Sequence, residues 1–554
     1  MRGPLRPRAV RTGLLGIAAM LGLLAPGLPA VPARAAMDFA SVACSLPHEQ
    51  LLRVWRGSEP TRSGQIMVVP QEPNFLGSNF PHSGPWDYLQ DVPIFWYGPG
   101  YLKPHRPVKR SVTIADVAPT QAQLLGFEAF RAPDGVAMPE VLDAAKEAPP
   151  RLIVTMVWDG GGRNVLDSWP KDWPVLRSLI PEGVWFHNAS VGSSPSITNA
   201  THATLGTGAY PRETGQVDAV FRLGQSASLI RAGAMGTAQL ATATLGDLYD
   251  RAMGNEPVIG SIASITWHLN MMGHGAMWNG GDRDLAVLRL GDARNEGVEG
   301  RAWTIKGRNA PWYRFPQYVN DLPTLDAYAD DLDRADGASD GKWGENSIQQ
   351  LANGWHTPAR VPFQDRLVAE VIRRERFGAD DVPDLLYINS KIIDHVGHVW
   401  SVNSPEMRDT LRGQDAGLEE LIDTLDQEVG PGDWVLVLTA DHGHQFDPTV
   451  SGAFQFTTPA LLADLRARFD DDGDDASVIV AVRATQVYLN EAELLQSGHT
   501  VAEIAEFLLH YTKGEAAPQP TSLTTEEMDD EVFAAVFPTS VFDSPLPCLE
   551  EAGT

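Results

Sequence analysis

Two short stretches of this chain combine carboxylates and imidazoles at spacings that suit a metal ion. In Asp394-His-Val-Gly-His398 a carboxylate and an imidazole stand four residues apart, a separation that one turn of helix brings to a single face. Asp441-His442 sets a second such pair side by side, and Asp159 opens the turn Asp159-Gly-Gly-Gly162 with a third carboxylate. A lone Asp caps a helix or forms a turn more often than it binds a metal. Three of them placed behind apolar runs, two with a His in ligand spacing, read together as a metal-binding set. Hard oxygen with borderline nitrogen donors suits zinc best, with manganese or iron as the alternatives.

A hydroxyl-rich segment follows the first acid: Ser194-Pro-Ser-Ile-Thr-Asn-Ala-Thr-His-Ala-Thr-Leu-Gly-Thr-Gly-Ala-Tyr-Pro211. It resembles the nucleophile segment of the type I phosphodiesterase/nucleotide pyrophosphatase branch of the alkaline-phosphatase superfamily, in which a Thr precedes a His by four residues and the stretch runs on into a Thr-Gly-x-Tyr-Pro turn. In that register Thr198 is the nucleophile, His202 is the motif His, and Thr207 to Pro211 form the turn. Ser196 and Thr201 are the competing hydroxyls, because hydroxyls gather at helix starts for capping alone. The register puts Thr198 at a helix N-terminus, where free amides and the helix dipole favour a phosphoryl group.

The resemblance implies two divalent ions. One would be held by Asp159, Thr198, Asp441 and His442, the other by Asp394, His398 and one further His. It also implies a phospho-threonine intermediate: an unaided Thr hydroxyl is a weak nucleophile, and a bound dication lowers its pKa.

In relatives of this type the remaining His comes late, in a His-Gly-x-Pro-like segment ahead of a strand. Here nothing after His442 fits, whereas His82-Ser-Gly-Pro-Trp-Asp-Tyr88 followed by Val92-Pro-Ile-Phe-Trp-Tyr-Gly-Pro-Gly100 does. The order is that of a circular permutation, with residues 36–142 equivalent to the usual C-terminal part and His82 as the missing ligand. His444 is the rival.

The elements that must position these groups are legible as apolar runs. Leu152 to Trp158, Leu385 to Asn389 and Trp434 to Ala440 each lead into one of the three acids. Continuous apolar runs alternating with helical patterns predict an α/β fold, a mostly parallel sheet sandwiched by helices, with ligands at the carboxyl ends of the strands. Leu411, Leu418, Leu421, Ile422 and Leu425 predict one covering helix over 408–427. Residues 282–356, rich in Gly, Asp, Asn and Trp, read as an inserted cap or long loops. The run Asp470 to Asp475 reads as a solvated turn.

Composition narrows the partners. Arg2, Arg6, Arg8 and Arg11, an apolar stretch from Thr12 to Leu28 and Ala33-Arg34-Ala35 read as a signal peptide over residues 1–35. The expectation is a secreted, single-domain protein over 36–554 with no stable membrane anchor. Removing residues 1–35, with five Arg and no acid, takes the formal charge from −28 to −33, which disfavours nucleic acid or anionic lipid as partners. Cys44 and Cys548 are the only cysteines, and an even pair in an oxidising compartment predicts a disulfide.

Monoesterases of the superfamily with a Thr nucleophile carry an Asn after the nucleophile segment and a Lys-x-Arg pair that grips phosphate oxygens. The corresponding stretches here read Gln216-Val-Asp-Ala-Val220 and Trp267-His-Leu-Asn-Met-Met-Gly-His274. The resemblance therefore points to a phosphodiesterase or nucleotide pyrophosphatase acting on a small phosphoester. The alternatives are a phosphomonoesterase and a metal-containing binding protein without catalysis. Asn199, His268, Asn270, Lys391 and His444 are the candidate substrate contacts, with His274 beside them.

Overall fold

The computed structural model describes residues 37–224, 227–289, 303–305, 309–351, 354–470, 476–517 and 523–550. The signal-peptide reading of residues 1–35 and most of the acidic run after Asp470 fall outside them. All elements below belong to one compact unit, Asp38–Thr554.

Twelve strands form the two sheets that matter here. In chain order they are β1 (Ile66–Pro70), β2 (Ile94–Tyr97), β3 (Leu152–Trp158), β4 (Val184–Phe186), β5 (Ile259–Ala263), β6 (Leu285–Arg289), β7 (Trp303–Thr304), β8 (Asp384–Ser390), β9 (Trp434–Thr439), β10 (Ile479–Val482), β11 (Gln486–Leu489) and β12 (Phe533–Pro538). The large sheet has the order β7-β6-β5-β8-β3-β9-β2-β4. Its centre, β6-β5-β8-β3-β9, is parallel throughout, and β7, β2 and β4 pair antiparallel at its two sides.

The apolar runs become central strands because they can be buried on both faces. Leu152, Val154, Met156, Leu386, Ile388, Leu436 and Leu438 pack on one side with Leu367 and Val371 of helix Arg360–Glu375 and with Leu411 and Leu418 of helix Pro405–Glu428. The alternate residues Ile153, Val157, Leu385, Tyr387, Val435 and Val437 pack on the other side with Val117, Leu205, Leu245 and Tyr249. Burying one such Leu or Val is worth roughly 2 kcal/mol, so a charge in any of these runs would oppose the fold. The helix predicted over 408–427 is thus present and longer at both ends. Two pieces of the stretch 282–356 depart from the cap reading: β6 and β7 extend the sheet itself, and helix Leu325–Arg334 buries Leu325 and Ala329 in the first core.

The small sheet, β10-β11-β1-β12, joins the two ends of the chain. β1 runs antiparallel to β12, with Val68 opposite Val536. Close by in sequence to these strands, Cys44 and Cys548 form a disulfide with a Cα–Cα distance of 5.8 Å and 504 residues between them. Closing so long a loop removes entropy from the unfolded chain, on the order of 5 kcal/mol in the chain-entropy picture. Alkylation of the folded protein without reductant should therefore label no thiol, and reduction should lower Tm. Two labelled thiols before reduction would remove the bridge from the account. Among the described residues no helix is long and apolar enough to cross a membrane.

Candidate active site

All the functional side chains but His82 are delivered by a strand end of the large sheet or by the segment that follows it. Asp159 follows β3, and Asp441 and His442 follow β9. β8 leads through Lys391 into helix Ile392–Trp400, whose first turn carries Asp394 and whose last carries His398. Thr198 is the first residue of helix Thr198–Thr207 and is 3% exposed. β2, on the far side of β9, belongs to the N-terminal segment, and the loop before it brings His82 into the same cluster.

Two glycines make this crowding feasible. Gly160 has a φ of 75°, and a Cβ there would lie 2.8 Å from His444 Cδ2 and 2.9 Å from Asp394 Cα. A Cβ on Gly397 would lie 2.5 Å from His444 Cδ2. The glycines of the Asp-Gly-Gly-Gly and His-Val-Gly-His stretches thus serve close approach.

Lys391 occupies the middle of the site. Its Nζ donates to Asp159 Oδ1 at 2.7 Å and to Thr198 Oγ1 at 2.9 Å, and lies 2.7 Å from Asp394 Oδ2. Burial, the largest cause, works against charge on Asp159 and Asp394, but this ammonium together with the surrounding imidazoles outweighs it and holds both carboxyls well below their usual range. Burial conversely pushes Asp441 up, and Asp441 Oδ1 accepts the Gly160 amide at 2.9 Å.

Three imidazoles share one pattern. The Nδ1–H of His82 donates to Ser196 O at 2.8 Å, that of His398 to Asn79 O at 2.8 Å, and that of His442 to Gly443 O at 2.9 Å. In the neutral ring these carbonyls assign the tautomer and leave each Nε2 with a bare lone pair. For His82 and His398 that lone pair faces Asp394 Oδ1 at 3.3 Å. For His442 it faces Asp441 Oδ2 at 3.3 Å and Asp159 Oδ1 at 3.6 Å, and this buried nitrogen has no hydrogen-bond partner. Burial, the largest cause, pushes His82 and His442 down to about 3, so both are neutral, the form that ligates metal. Lone pairs aimed at carboxylate oxygens repel them unless a cation lies between. The donor set of His82, Asp394, His398 and His444, and that of Asp159, Asp394 and His442, could each hold a metal ion, their donor atoms lying within 4.8 Å of one another.

His444 and His268 differ. His444 Nε2 lies 3.2 Å from Asp394 Oδ1 in hydrogen-bonding geometry, which makes it a donor that orients the carboxylate. His268 Nδ1 accepts the amides of Ser264 and Ile265 at 3.3 and 3.2 Å, so its Nε2 carries the proton and faces Asp159 Oδ2 at 3.4 Å, close enough to attract but not aligned as a hydrogen bond. Asp159, His202 and His268 also have donor atoms close together, but His202 is fully engaged. Its Nδ1–H donates to Thr198 O at 2.9 Å, and its Nε2 accepts from Asn389 Nδ2 at 3.0 Å, the same amide that reaches Asp159 Oδ2 at 2.8 Å.

The expected residues Asp159, Thr198, Asp394, His398, Asp441, His442 and His82 therefore converge, with Lys391 among them. Thr198, Asn199, His82, Lys391, Asp394 and His398 line one cavity of about 440 Å³. Four expected contacts do not line it: His268 and His444 lie behind Asp159 and Asp394, and two more are turned elsewhere. His274 Nδ1 pairs with Asp247 Oδ2 at 2.7 Å, and Asn270 is buried in helix Leu269–Met272 away from the cavity lining. Two ionisable lining residues escaped the reading of the sequence. Arg483 comes from the β10–β11 turn of the other sheet, and His395 lies inside the Asp394–His398 stretch, facing Arg360 Nη1 at 3.0 Å. The position of His395 between two presumptive ligands was the one signal available for it.

Residues 153–536 match the sequence profile of type I phosphodiesterase / nucleotide pyrophosphatase. A calcium-transporting ATPase of Myroides odoratus is 23% identical over 434 residues, 66% of this chain and 75% of that protein. The alkaline phosphatase PafA of Elizabethkingia meningoseptica is 27% identical over 163 residues, 28% of this chain and 30% of that protein. The alkaline phosphatase PhoD of Zymomonas mobilis is 30% identical over 325 residues, 54% of each chain. The aligned part thus spans under a third of the former phosphatase and about half of the latter. The crystal structure of wild-type alkaline phosphatase PafA has a TM-score of 0.52 to this fold at 18% identity, over 71% of this chain and 85% of that one, a likeness of fold.

Proposed function

This chain belongs to the type I phosphodiesterase / nucleotide pyrophosphatase family of the alkaline-phosphatase superfamily, and from that premise we propose that it is a two-metal phosphoric-ester hydrolase that acts through Thr198. The observation that carries the reading is the convergence of Thr198 Oγ1, Asp159 and Asp394 on one ammonium, with the bare Nε2 atoms of His82, His398 and His442 beside them. His82, Asp394 and His398 would hold one ion, and Asp159, Asp441, His442 and Thr198 the other, zinc suiting the donors best. Bound dications supply Lewis acidity that lowers the hydroxyl pKa and offsets charge on the phosphoryl oxygens.

The chain's own residues do the rest. Thr198 Oγ attacks phosphorus as the bond to the leaving oxygen breaks, and the alcohol departs with a proton. Water then attacks the phospho-threonine, breaks the Oγ–P bond and restores the hydroxyl. Lys391 fixes Thr198 Oγ and adds one positive charge beside it. His202, held by Asn389, ties down the Thr198 carbonyl, while His444 orients Asp394 and Asn389 orients Asp159.

A diester preference is supported by the cavity. Among the described residues the one guanidinium on its wall, Arg483, is paired with Asp218 at 3.1 Å, so none of them offers a free cationic pair to a dianionic monoester. Zinc- and manganese-loaded protein should show a higher kcat/KM on aryl diesters than on aryl monoesters, with nucleotides as a third arm. A clearly higher value on monoesters would replace this reading with a phosphomonoesterase.

The permuted order remains part of the proposal. The family match begins at residue 153, while His82 and β2 come from the preceding segment, and the β1–β12 pairing and the disulfide support a seam at the chain ends. The disulfide also supports export to an oxidising compartment.

A further inference from the structure

We infer that Arg483 selects substrates that carry a second anionic group, a carboxylate or phosphate, on the part of the ester remote from the reacting phosphorus. The inference rests on the phosphoric-ester reading of the site.

Arg483 lines the same cavity as Thr198 but reaches it from the turn between β10 and β11, that is, from the small sheet. Its Nε and Nη2 both donate to Asp218 Oδ1 at 3.1 Å, and Asp218 is 3% exposed. The carbonyl of Asp218 in turn accepts Asn199 Nδ2 at 2.8 Å. Asn199 follows the nucleophile, so this chain of bonds fixes the guanidinium relative to Thr198. One edge of a planar fork is thereby spent on positioning. The other edge remains: Nη1 makes no hydrogen bond among the described residues, and the side chain is 39% exposed.

The charge belongs to a subsite distinct from the metal cluster. Arg483 pairs with Asp218 and with none of Asp159, Asp394 and Asp441, so it is not part of the balance struck there by Lys391. Asp218 offsets its net charge, which disfavours the dianion of a free phosphate but leaves a directional donor for a single anionic group. On a chain of net charge −28, long-range attraction cannot select an anionic substrate, and a fixed local donor can. Trp267, held by its Nε1 bond to Ala232 O at 2.6 Å, and Ile265 supply apolar wall for the organic part of such a substrate.

The test compares p-nitrophenyl phenyl phosphate with its 4-carboxyphenyl analogue on the zinc-loaded full chain. Reading both on one preparation cancels any loss of folded fraction. In Arg483→Ala the charged-over-neutral ratio of kcat/KM should fall about tenfold, through KM, as expected for one charge-assisted hydrogen bond. Arg483→Lys should recover part of it. An unaltered ratio in Arg483→Ala overturns the inference, as does an equal fall on both substrates through kcat, which would place the guanidinium on the reacting phosphoryl group. If the wild type leaves both diesters intact, the diester reading fails by itself. The same ratio is then read as the calorimetric Kd of phenylphosphonate against 4-carboxyphenylphosphonate, which needs no turnover: preference for the carboxylate, lost in Arg483→Ala, supports the subsite, and no preference overturns it.

Discussion

Thr198→Ala should lower kcat by about three orders of magnitude or more, the scale seen when a covalent nucleophile is removed, with metal content and Tm close to wild type. The side chain is small, and its recorded bond is the one it accepts from Lys391 Nζ at 2.9 Å, so the truncation removes little packing. The two rival hydroxyls have their protons committed elsewhere. Thr201 Oγ1 donates back along its own helix to Ile197 O at 3.0 Å and faces Asp441 Oδ2 at 3.5 Å. Ser196 Oγ donates to His82 O at 2.7 Å. Neither lines the cavity, whereas Thr198 does. Rapid-quench detection of a phosphorylated peptide containing Thr198 in the wild type, absent in Thr198→Ala, gives the direct readout. Wild-type turnover in Thr198→Ala together with an inactive Thr201→Ala would move the nucleophile by one helical turn.

The strands that carry Asp159, Asp394 and Asp441 were legible because a strand buried on both faces is apolar at nearly every position. The acids behind them were legible for the complementary reason: a charged residue at the end of such a run must be exposed, paired or ligated. What stayed hidden depends on distance along the chain or on weak local pattern. β6 has a short apolar run set among Gly, Asp and Arg, and it becomes a strand only because β5 offers a parallel edge to pair with. Arg483 sits in a turn of ordinary composition, and its place in the cavity follows from the pairing of β11 with β1, more than 400 residues apart. His274 ends the stretch that stands where a Lys-x-Arg pair is expected, yet Gly273, with a φ of 132°, turns the chain there and His274 meets Asp247 instead.

His82 is the sharpest case, because it lies more than 300 residues before the other members of its set and outside the matched residues 153–536. His82→Ala should leave the purified, metal-loaded protein about one equivalent of metal short and lower kcat/KM by about two orders of magnitude or more, the expected cost of losing a ligand at a catalytic ion. His444→Ala is the informative comparison. Both imidazoles point Nε2 at Asp394 Oδ1, at 3.3 and 3.2 Å, but their other nitrogens differ. His82 Nδ1–H is held by Ser196 O, which leaves Nε2 unprotonated, whereas His444 Nδ1 is buried without a partner and its Nε2 has the geometry of a donor to the carboxylate. In the proposed site His82 serves as a ligand and His444 as the group that orients one, so His444→Ala should keep both equivalents and lose less activity. His82 also stacks on His442 with ring centroids 3.5 Å apart, so its removal leaves a void beside the second proposed metal site. His82→Gln fills that void and separates loss of ligation from loss of packing. Metal analysis by mass spectrometry after dialysis, with Tm measured alongside, reads both effects. Two equivalents and full activity in His82→Ala, or loss of the equivalent in His444→Ala alone, would transfer the ligand role to His444 and remove the main support for a permuted chain.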